Sequence, residues 1–167
     1  MMILRARRLL VGYPILVALL LWGAEQPKLS AGSLDSVGRV LEDETRASAI
    51  RNYLQAWDTL GQASAQNRAD LLDAYFVGIA KTKLEDTLRD QGRLGIQVTY
   101  RDQTHAPEIV FYSPDGLSIQ VLDNVTYRLE VRDQGRIVGG QEVHSRYVAV
   151  LTPTETKWKV RILQAEP

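Results

Sequence analysis

Val125-Thr126-Tyr127-Arg128-Leu129-Glu130-Val131-Arg132 alternates apolar and polar residues without a slip. Successive side chains on a strand point to opposite faces, so Val125, Tyr127, Leu129 and Val131 share one face and the charged residues the other. That pattern marks a strand buried on one side only. Asp133-Gln134-Gly135-Arg136 reads as a turn, after which residues 142–151 resume the alternation. There Val143, Tyr147, Ala149 and Leu151 lie on the apolar side, and Glu142, His144 and Arg146 lie opposite. Beyond a break at Thr152-Pro153-Thr154, Trp158, Val160 and Ile162 alternate with Lys157, Lys159 and Arg161. A sheet with one apolar face requires a cover.

The cover lies upstream. Ile50, Leu54 and Trp57 recur at helical spacings, which predicts a main first helix from about Thr45 to Leu60, ended by Gly61. A short leading helix or an extension carries Val37, Val40 and Leu41. Asn67 or Asp70 caps a second long helix with the stripe Leu72, Phe76, Ala80, Leu84 and Leu88, stopped at Gln91-Gly92. That stripe is too short for a coiled-coil seam and suits the face of a sheet. Strands are then expected over residues 95–101 and 108–113, with a Pro114-Asp115-Gly116 turn launching residues 117–121. Two or three helices followed by about five or six strands joined by short turns give an α+β domain, its helices packed on one face of a curved antiparallel sheet.

The 167 residues include a leading apolar segment, which leaves room for one domain of ordinary size. Arg5, Arg7 and Arg8 precede an apolar run from Leu9 to Trp22, and acids begin only at Glu25. Residues 1–24 therefore read as an export signal, residues 25–36 as a linker and residues 37–167 as the domain. The run is shorter than the roughly 20 residues of a comfortable span, which favours a cleaved peptide. Trp22 sits where cleavage after Ala24 wants a small residue, which favours an uncleaved signal anchor held in the membrane through residues 9–24. With the positive flank inside, either reading puts the domain outside the cytoplasm, in a periplasm, at a cell surface or secreted. Lysines and arginines number 20, as do aspartates and glutamates, so no overall field points to nucleic acid. The absence of cysteine excludes a disulfide framework, a thiolate nucleophile and a cysteine-ligated metal.

The helical stretch Tyr53-Leu54-Gln55-Ala56-Trp57, together with the final strand Lys157-Trp158-Lys159-Val160 after a threonine-rich turn, resembles the nuclear-transport-factor-two-like superfamily, the cystatin-like α+β cone. The resemblance covers about residues 45 to 165. It implies a curved sheet wrapped round a long helix, and leaves function open among isomerases, dehydratases, cyclases, transport factors and secretion-system components. The layout of a basic end, one apolar span and one cone is similar to membrane-tethered scaffolds of type IV secretion and of plastid and cyanobacterial division. A non-enzymatic, membrane-anchored interaction or assembly domain is therefore expected, its partner another membrane or extracytoplasmic protein, or a second copy in a homodimer.

An enzyme of this superfamily would carry a carboxylate base or a His-Asp pair near a tyrosine donor, so that a proton can leave carbon while the enolate oxygen is stabilised. Tyr53, Trp57, Tyr127 and Tyr147 are the candidates to line such a pocket, although the pattern favours core residues, with tyrosine hydroxyls that reach water or a backbone carbonyl. Glu130 and Glu142 have outward parity, which counts against catalysis; Asp123-Asn124 interrupts the apolar run, and reads as a turn or bulge, at which Asp123 would be free to turn toward the mouth. His105 falls in an expected loop and His144 on the outer face, so both read as solvated and not as a metal pair. No cofactor site is expected. The outer sheet face carries mixed charges, and Arg128, Arg146, Val148, Val150, Lys159 and Arg161 are the candidates for an interaction face there.

Overall fold

The computed structural model describes residues 40–166, so the expected signal anchor and linker lie outside the described residues. Helix α1 spans Asp43–Gln66, a 3-10 turn follows at Ala69–Ala74, and α2 spans Gly78–Leu94. Four strands complete the domain: β1 Ile96–Tyr112, β2 Ile119–Asp133, β3 Arg136–Pro153 and β4 Trp158–Ala165. They form one antiparallel meander in chain order, with the helices packed on its inner side. Among the described residues no helix is long and apolar enough to cross a membrane.

The class is α+β, with fewer and longer strands than expected. Two presumed breaks are strand interior. Pro107 sits within β1, where the absence of a described partner on its outer side removes the need for a ladder N–H. Asp123-Asn124 lies inside β2, paired without a register shift to Pro107 and Ala106 on one side and to Tyr147 and Arg146 on the other. The charged and proline-containing segments mimic loops locally, but pairing on a long strand overrides propensity.

The helices depart from expectation in the same manner. α1 runs through Gly61, because Leu60, Ala63 and Ser64 are all buried and hold the next turn in place. It ends at Asn67 in the left-handed conformation, φ 51°, whose side-chain Nδ2 donates to the Ile96 carbonyl at 2.7 Å. The expected second helix is split. Phe76 leaves the helical path to bridge Val160, with Val77 N–H donating to the Val160 carbonyl and Val160 N–H to the Tyr75 carbonyl. Gly78 permits the re-entry into α2: its φ is +56°, and a Cβ there would meet Arg161 Cγ at 3.2 Å.

The core draws on both layers: Tyr53, Trp57 and Leu60 from α1, Leu84 and Leu88 from α2, and Val121, Val125, Tyr127, Ala149 and Leu151 from the sheet. In β4 a register shift opposite Val150 and Leu151 reverses the expected parity beyond Val160. Ile162 pairs with Val150 and lies apart from the core, while Leu163 turns inward. One extra residue flips every later side chain to the other face.

Candidate functional site

The strand parity that makes Val121, Val125 and Tyr127 core residues also carries Asp123 inward, where it is 1% exposed. A carboxylate at that depth requires partners, and three donors converge on it. Ala106 N–H donates to Oδ1 at 2.8 Å, the Tyr53 hydroxyl to Oδ2 at 3.0 Å, and His105 Nδ1 lies 2.7 Å from Oδ2. A carboxylate oxygen accepts, so His105 donates to it from Nδ1, while Nε2 faces the Gln103 side-chain amide at 3.5 Å. Burial, and then the Asp123 charge, hold the Tyr53 hydroxyl far above its ordinary pKa and keep it a neutral donor.

Aromatic rings fill the space beside this cluster. Trp57 sits 5.2 Å from the His105 ring, meets Tyr147 edge-on at 4.9 Å and lies 6.3 Å from Tyr127. The Tyr127 and Tyr147 hydroxyls bond each other at 3.1 Å. Burial raises the pKa of both, Tyr147 to about 12. Trp57 Nε1 is the one orphan of the group, buried without a hydrogen-bond partner.

Tyr53, Trp57, Tyr127 and Tyr147 lie together, as packed walls in contact. Asp123 and His105 are the residues the sequence reading misplaced. His105 is no solvated loop residue: its side chain is only 13% exposed, and Asp123 occupies no turn or bulge. The signal was available in the odd-numbered series Val121, Asp123, Val125, Tyr127, once β2 is read as unbroken. A polar cleft of about 590 Å³ opens between α1 and β1, lined by Asp58, Gln62, Tyr100, Arg101 and Gln103 among others, so that Gln103 stands between it and His105. A second, more apolar cleft of about 610 Å³ runs along α1 past Ile50 and Leu54, away from the cluster. Among the described residues no cluster of three His, Asp or Glu groups could hold a metal ion.

The interaction-face candidates separate into two places. Val148 and Val150 are half-buried and point outward, in line with Leu122 and Ile162, which pair beside them. Arg128 is exposed on that face, and Arg146 reaches Glu166 at 3.3 Å. Lys159 and Arg161 lie at the far edge instead: Lys159 Nζ donates to the Asp73 carbonyl at 2.7 Å, and the Arg161 stem runs past Gly78.

No protein-family model matches the sequence, and no curated protein does. Solved structures do. The intermembrane space region of chloroplast protein ARC6 aligns with TM-score 0.59 at 13% identity, over 69% of this chain and 94% of that one. A putative scytalone dehydratase from Novosphingobium aromaticivorans aligns at 0.49 and 15% identity, over 75% and 87% of the two chains. Aln2 from a Streptomyces species aligns at 0.45 and 15%, over 77% and 93%. With the first of these the fold is shared. The expected α+β class with a curved antiparallel sheet is met at that level, and the expected signal anchor lies outside the described residues.

Proposed function

We propose that this chain is a membrane-anchored, extracytoplasmic interaction domain without catalytic activity, binding another protein or its own copy. The observation that carries this reading is the filled interior. Trp57, Tyr127 and Tyr147 occupy the volume a substrate would need, and Asp123 has both oxygens engaged by three donors. The surface features left for recognition lie outside, in the apolar strip of Leu122, Val148, Val150 and Ile162 among mixed charges. The likeness to an intermembrane space region of a chloroplast protein accords with a domain facing a compartment outside the cytoplasm. Val148→Asp should leave the melting temperature within about 3 °C of the parent while weakening association, read by sedimentation of the detergent-solubilised full chain. A lone monomer that retains a metabolite through purification would contradict the proposal.

A second reading rests on the Tyr53–Asp123–His105 cluster beside the orphan Trp57 Nε1. A histidine oriented by a buried carboxylate, with a neutral tyrosine donor alongside, is the grouping an isomerase- or dehydratase-type cone would use. On this reading a small molecule enters from the α1–β1 cleft past Gln103 and accepts from Trp57. His105→Gln would then abolish ligand retention, whereas Val148→Asp would not.

A further inference from the structure

The outer face of the sheet shows an order that no single strand displays. Strand pairing sets the outward residues of neighbouring strands side by side in rows. Glu108, Leu122, Val148 and Gln164 form one row, Ala106, Asn124 and Arg146 the next, and farther along Arg128 stands beside Glu142. In β1 an extra residue at Val110 interrupts the pairing, so Ile109 and Tyr112 pack on the core while Val110 and Phe111 between them stay off it, 44% and 38% exposed. Their row continues through Gln120 and Val150 to Ile162. An apolar band thus crosses all four strands, and none of its residues belongs to the core.

We infer that a second copy of this chain covers the band, the two sheets packing outer face to outer face about a two-fold axis that runs parallel to the strands, between β2 and β3. The inference rests on the interaction-domain reading and names the partner. Such a rotation keeps each row at its own level and reverses its order across the sheet, so symmetry leaves the register no freedom to slide. β2 of one copy lies over β3 of the other, and β1 over β4. Leu122 then meets the second copy's Val148, and Val110 and Phe111 meet its Ile162.

Charge selects this axis. Arg128 meets the second copy's Glu142, twice by symmetry, while Asn124 meets its Arg146 and Glu108 its Gln164, so these rows bring no like charges face to face. An axis running across the strands lacks the match. Centred on the Leu122 row, it would set Glu108 against its own symmetry mate and Val150 against Arg146, which is unfavourable on both counts. The twist of each sheet opens an angle of about 30° between the two sets of strands, a divergence that the long side chains of Arg128 and Glu142 span.

Two variants of the full-length protein in detergent test the match at exposed positions. Arg128→Glu makes its row acidic on both central strands, and Glu142→Arg makes it basic. Each alone opposes like charges across the axis and should weaken dimerisation about tenfold or more by sedimentation. Mixed in equal amounts, the two should dimerise again, a recovery that only a contact between chains can give. The chain has no cysteine, so introduced thiols report unambiguously. A short bismaleimide should join a Phe111→Cys chain to an Ile162→Cys chain and neither variant to itself, because the two copies of residue 111 lie at opposite sides of the paired sheets. Self-linking through Phe111→Cys, or charge variants that dimerise like the parent, would overturn the arrangement. A monomeric parent that loses a different protein partner on Val148→Asp would overturn the second copy as occupant and leave the interaction reading standing. A monomer that retains a metabolite through purification would overturn both.

Discussion

Replacing Asp123 with alanine strips the interior of the acceptor that satisfies Ala106 N–H, the Tyr53 hydroxyl and His105 Nδ1. Each buried donor left without a partner costs about 1–3 kcal/mol. Water admitted to the vacated space lowers the total, so a loss of about 3–5 kcal/mol is expected. For a domain of this size that corresponds to a fall of roughly 10–25 °C in melting temperature, read by circular dichroism on the solubilised full chain. Asp123→Asn should cost less, about 1–2 kcal/mol, because His105 can change tautomer and accept from the amide while Oδ1 still serves Ala106. Tyr53→Phe removes one of three donors and should cost about 1 kcal/mol. The order Ala, Asn, Phe is the test. An alanine variant melting within about 3 °C of the parent would show that Asp123 is solvated and that the cluster does not bind helix to sheet.

Alkali should unfold the domain steeply. Tyr53, Tyr100, Tyr127 and Tyr147 have folded pKa values raised above the ordinary value of 10, so the unfolded chain ionises first and their contribution to stability, complete below pH 10, is lost as pH rises. Four such groups give a slope of about 5 kcal/mol per pH unit above roughly pH 10.5, until Tyr147 itself titrates. Tyrosinate absorbance should rise together with loss of structure, and normal titration of all tyrosines in a folded protein would refute their burial. Gly92 within α2 and Gly95 at its C-cap should respond with opposite signs. Gly92→Ala meets nothing within 4 Å and should stabilise by about 0.5–1 kcal/mol, whereas Gly95→Ala, at φ +69°, should destabilise by about 1 kcal/mol, both measured by urea unfolding.

Local periodicity was sufficient for the α+β class, for α1 as a cover and for the inward parity of Val125, Tyr127, Tyr147 and Trp57. It was sufficient in principle for Asp123 too, since an unbroken alternation from Val121 to Val131 places it inside. The loop-like composition around His105 and Asp123 obscured this, because Pro107 and Asn124 disfavour strands locally and only pairing with neighbours overrides them. The reversal at Ile162 had no such signal, for a bulge is defined by the partner strand. Nor could the sequence say that Tyr53, 70 positions before Asp123, and His105, 18 before it, would meet on one carboxylate. That convergence is set by the register of β1 on β2 and the rotation of α1 over both. Which outward residues share a row is likewise settled only when every strand has its neighbour: periodicity assigns a residue to a face, whereas pairing decides what that face meets.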